Sequence, residues 1–83
     1  MGVLDHDFER RLSSLEIEWR TAYEASCIAG ADFLALSASP EVKITQVQEA
    51  RRRLDQAEER KSQVLAKIER FEAAISRRLQ INE

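Results

Sequence analysis

Glycine, proline, cysteine and histidine are all scarce in this chain of 83 residues, which has two glycines, one proline, one cysteine and one histidine. So few glycines and prolines leave few turns, and that excludes a strand-rich fold, in which every hairpin needs its own turn residues. The lone cysteine, Cys27, excludes an internal disulfide, and Cys27 with His6 cannot assemble a metal site. A reducing, cytoplasmic setting without metal or cofactor is the matching expectation.

Long apolar runs are missing too. The most weakly charged stretch, 25–38, has 14 residues and includes Asp32, short of the roughly 20 apolar residues that span a bilayer. Asp5, Asp7 and Glu9 occupy the first residues with no basic segment before an apolar one, so no secretory signal is expected. There is no glycine-rich phosphate loop, zinc-protease helix motif or calcium loop. His6 has only its sequence neighbour Asp7 as a partner, and Cys27 has no base near it in sequence. The expectation is a non-enzymatic protein.

What is present is helical. Hydrophobic residues make up 43% and charged residues 34% of the chain, a balance suited to one small folded domain over 1–83. Apolar side chains recur at alternating spacings of four and three through Phe8, Leu12, Leu15, Trp19, Ala22, Ser26, Ala29, Phe33 and Leu36. Ser26 is the one polar member of that series. The same spacing returns in Val47, Ala50, Leu54, Ala57, Lys61, Val64, Ile68, Phe71 and Ile75, with Leu65 and Leu79 widening the second stripe. Between the two lies Ser37-Ala38-Ser39-Pro40-Glu41, which holds the only proline.

The fold class is therefore all-α, a two-helix antiparallel hairpin of coiled-coil type that pairs into a four-helix bundle. Helix one is expected over about 6–37, capped by Asp5, the turn over about 38–40, and helix two over about 41–80. Ser39 is the expected cap of helix two, with Pro40 in its first position and Glu41 at its positive end. Folding at Pro40 sets Phe8 against Phe71, Phe33 against Val47, Ala22 against Ala57 and Trp19 against Lys61. Small residues then face small ones near the turn, and large face large at the open end. Residues 1–38 carry 3 basic and 7 acidic side chains and residues 39–83 carry 10 basic and 8 acidic, so the helices are opposite in sign.

A lone hairpin does not use every apolar residue. Cys27, Ile28, Ala31, Leu34 and Ala35 lie away from the first stripe, so this part of the helix is apolar nearly all round, a pattern of helices buried on several sides. With Phe33 they form the expected partner interface, for a second copy or another helical protein. Ala22, Ser26 and Gly30 form a ladder of small residues, and a glycine inside a helix costs about 1 kcal/mol, which suggests a packing reason for Gly30.

The rival interface is basic. Arg51, Arg52, Arg53 and Arg60 form the one basic cluster in the linear sequence, which suggests contact with nucleic acid. The three consecutive arginines fan around a helix, and Glu49, Asp55, Glu58 and Glu59 dilute them, so a solvated face is favoured. In outline the chain resembles small helical subunits and co-chaperones of type III secretion. Its segment Leu54-Asp55-Gln56-Ala57-Glu58-Glu59-Arg60 resembles one in the small subunit of exonuclease VII, whose acidic–proline turn has no counterpart here. No motif specific to either family is matched, and no family is assigned. The expected function is a small helical adaptor, chaperone-like subunit or assembly factor.

Overall fold

The computed structural model describes residues 2–81, with side-chain burial described for 7–78. Two helices, α1 (Gly2–Ala38) and α2 (Ile44–Ile81), pack against each other as a hairpin, with no strand among the described residues. The molecule measures 63 × 19 × 14 Å with a radius of gyration of 18.8 Å, against about 12 Å for a compact domain of this length. Among the described residues, no helix is long and apolar enough to cross a membrane.

The start of each helix differs from the sequence expectation. Helix α1 is already helical at Gly2, so Asp5 is not its cap; Leu4 lies four residues before Phe8 and continues the stripe spacing. Helix α1 stops at Ala38, where Ser39 N–H donates to the Leu36 carbonyl (3.2 Å). Ser39 precedes proline, whose ring disfavours helical backbone in the residue before it. Helix α2 then begins at Ile44, and Pro40 and Glu41 stay in the turn. The start is fixed by Lys43 and Gln46. The Lys43 carbonyl accepts from Gln46 N–H (3.0 Å) and Val47 N–H (3.4 Å), while the Gln46 side-chain oxygen reaches back to Lys43 N–H (3.2 Å). This is half of a capping box, with glutamine in the usual third helical position. His6, Leu79 and Asn82 lie outside the residues whose side chains are described.

The two apolar stripes meet as the spacing requires. Leu15, Ala22, Ala50 and Val64 are buried, Val64 completely. Trp19, Ala29, Phe33 and Leu36 on α1, and Val47, Leu54, Ala57, Ile68, Phe71 and Ile75 on α2, are half-buried around them. At the open end the Phe8 and Phe71 rings lie 5.2 Å apart, tilted by 36°. Ser26, buried within the stripe, donates its hydroxyl to the Tyr23 carbonyl at 2.8 Å, so its burial leaves no unpaired polar atom.

Long cationic side chains make contacts the stripe spacing does not predict. Lys61 lies 5.7 Å over the ring of Tyr23, one turn beyond Trp19, and its ammonium also pairs with Glu58 (3.0 Å). The Arg51 guanidinium covers Phe33 at 5.7 Å, one turn beyond the expected Val47. Glu18 ties the helices together from α1, with Lys67 at 3.1 Å and Arg60 at 3.6 Å.

Gly30 is not forced by a close approach inside the hairpin. A Cβ built there meets Leu54 Cδ1 at 3.8 Å, an ordinary van der Waals distance, and the backbone is helical. Gly30→Ala is therefore expected to raise the unfolding free energy by about 0.5–1 kcal/mol, the helix-propensity difference, measured by urea denaturation. In the same measurement, Val64→Ala is expected to cost about 2 kcal/mol, whereas Leu65→Ala, next in sequence but 44% exposed, loses less.

Candidate interaction surfaces

Ile28 and Leu34 are six residues apart, and at about 100° per residue they point about 120° away from each other around α1. The apolar surface expected as one face is thus divided between the two sides of the hairpin. Ile28 and Ala35 line a groove between the helices near the turn, together with Ala25, Ala29, Asp32 and Leu36 of α1 and Thr45, Gln46, Glu49, Ala50 and Arg53 of α2. The groove encloses about 820 Å³ and is open to solvent along its length. Cys27 and Leu34 lie on the other side, on the stripe that also carries Tyr23. Ala31 points away from α2, between these two sides.

Large apolar side chains near the turn are exposed. Ile28 is 64% exposed, Leu34 69% and Ile44 73%. Cys27, Ala31 and Ala35 are exposed as well. Phe33 behaves differently: it belongs to the seam, half-buried under Arg51. Ile17 and Tyr23, further along α1, are 63% and 51% exposed.

Arg51, Arg52, Arg53 and Arg60 of α2 are each matched to a carboxylate. Arg51 pairs with Asp55 (3.5 Å), Arg52 and Arg53 with Glu49 (4.0 and 3.4 Å), and Arg60 with Glu18 (3.6 Å). These exposed pairs add little stability. Their consequence is electrostatic: the linear cluster becomes a surface of alternating sign, without the single positive stripe that tracks a phosphate backbone.

A second groove, of about 1170 Å³, lies on the same side of the hairpin as Ile28 but at the open end. It is lined by Asp7, Arg10, Arg11, Ser14, Leu15 and Glu18 of α1 and by Lys67, Arg70, Phe71 and Ala74 of α2. Arg10, Arg11 and Arg70 make no ion pair among the described residues. The linear sequence conceals this cluster, because its members are separated by the whole length of the hairpin. The signal that reveals it is the antiparallel pairing itself, which brings 10–11 beside 70. No group of three or more histidine, cysteine or acidic side chains able to hold a metal occurs among the described residues.

The chain matches no family model, no curated protein sequence and no solved structure.

Cys27 reports on one side of the hairpin. In the isolated hairpin its exposed thiol is expected to react with an aromatic disulfide reagent at the rate of a free cysteine. A partner that covers the Leu34 side slows that reaction, whereas one seated in the Ile28 groove leaves it unchanged.

Proposed function

We propose that this protein is a non-enzymatic interaction module, a small helical adaptor or assembly factor that binds a helical partner through the turn-proximal half of its hairpin. The observation that carries the reading is the exposure of Ile28, Leu34 and Ile44, each more than 60% accessible around one end of the molecule. Large apolar side chains left this exposed gain most from burial against a partner. The total area points the same way. The hairpin exposes 6933 Å², whereas a compact monomer of its mass exposes about 5,000 Å². The difference exceeds the roughly 800 Å² that each partner buries in a standard interface. Two hairpins side by side, forming a four-helix bundle, give each helix a second neighbour and are the simplest arrangement that covers one side of this surface.

Contact with nucleic acid through Arg51, Arg52, Arg53 and Arg60 is the weaker reading, because all four already have carboxylates beside them.

The test is solution mass. The wild-type chain is expected to sediment or scatter light above its 9.5 kDa monomer mass, and the double variant Ile28→Asp/Leu34→Asp, which charges both sides of the hairpin, is expected to lower that mass while leaving helical circular dichroism intact. A monomer at all concentrations that also recruits no helical protein overturns the reading.

A further inference from the structure

The groove side of the hairpin is not uniform in charge. Its turn end carries Asp32, Glu49 and Arg53, a net −1. Its open end carries Asp7 and Glu18 against Arg10, Arg11, Lys67 and Arg70, a net +2. Asp32, like the three arginines of the open end, makes no ion pair among the described residues. Arg11, Glu18, Ala25 and Asp32 follow one another at seven-residue steps and share one stripe of α1 bordering both grooves.

We propose that this side is closed by a second copy of the same chain, lying antiparallel, with the two-fold axis beside Ala25. The inference rests on the association proposed above and adds its partner, face and direction. Seven residues of helix span about 10.5 Å. An axis at Ala25 therefore carries Asp32 of one copy onto the Glu18 position of the other. Glu18 there is already held by both Arg60 and Lys67, so that cluster is net positive and suits an incoming carboxylate. The same operation sets the arginines at 10–11 beside the second copy's turn, where Glu41 is exposed. A parallel arrangement would instead stack Asp32 on Asp32 and Arg11 on Arg11. Ala25 and the neighbouring Thr21 are short enough for two α1 helices to approach closely at the axis. Ile17 and Ile28, 63% and 64% exposed, flank that line and supply the apolar contact on each side of it. A two-fold interface is self-complementary, so each favourable contact is made twice.

Disulfide trapping and charge reversal test the arrangement together. In a Cys27→Ser background, Ala25→Cys is expected to form a covalent dimer on mild oxidation, because a disulfide needs Cα atoms within about 7 Å. Arg11→Cys in the same background is expected to stay unlinked, since two such residues lie about 40 Å apart across the axis. Asp32→Lys is expected to weaken the dimer about tenfold, and adding Lys67→Glu is expected to restore most of the loss. Cross-linking of Arg11→Cys would show parallel packing and overturn the proposal. A dimer dissolved by Leu34→Asp but indifferent to Ile28→Asp and Asp32→Lys would place the interface on the opposite side, overturning this inference while leaving self-association standing. A chain that is monomeric throughout sinks the inference, and recruitment of a different helical protein by that monomer would keep the adaptor reading alone.

Discussion

The seam between α1 and α2 is a single row of side chains wide, and the rest of the molecule is arranged around that limit. Val64 is enclosed completely, Leu15, Ala22 and Ala50 nearly so, and the stripe residues beyond them keep part of their surface in water. A third layer would be needed to bury more. Hydrophobic stabilisation scales with apolar area removed from water, so a core this narrow contributes little, and small scaffolds of this kind gain stability by adding neighbours. Ser26 shows how tightly the seam is specified. It places a hydroxyl in the apolar row and satisfies it locally through the Tyr23 carbonyl, which keeps a small side chain where the helices meet.

The helices and their inward stripes were legible in the sequence because both depend on local periodicity, and a spacing of three and four admits one solution for a helix. The turn was less so. Ser39-Pro40-Glu41 has the residue types of a helix start, yet Lys43 and Gln46 provide the hydrogen bonds that begin α2. A glutamine three residues into a helix is a weak signal beside a proline, and it prevailed because the connection spans 39–43. Individual contacts were less legible than the stripes: Phe8 meets Phe71 as the spacing requires, but Tyr23 rather than Trp19 receives Lys61, and Phe33 receives Arg51. Stripe membership depends on each helix alone, while individual pairs depend on both.

Charge was legible where it is local and hidden where it depends on the fold. Arg51, Arg52 and Arg53 stand out in a linear sequence, but consecutive residues on a helix point in different directions, and carboxylates three or four positions away lie against them. Arg10, Arg11 and Arg70 are inconspicuous in sequence and converge on one groove only once the chain has folded back on itself. The apolar residues of 27–35 follow the same rule in reverse. They are adjacent in sequence, and helical rotation distributes them so that Ile28 and Ala35 border the groove while Leu34 and Cys27 lie across the molecule.

The two kinds of surface have different physical consequences. Apolar residues around the turn supply a non-directional driving force that would accept a partner helix in more than one orientation. Exposed charges supply little free energy individually, yet their sign pattern is directional, and like charges brought together across an interface are costly. A hairpin with a net negative groove at its turn and a net positive one at its open end discriminates between parallel and antiparallel neighbours even where the apolar contacts do not. In a molecule this thin, specificity in any assembly would therefore fall to the few charged residues that border the grooves. Glu18 has the central place among them, since it fixes α2 through Arg60 and Lys67 and leaves that cluster with positive charge to spare.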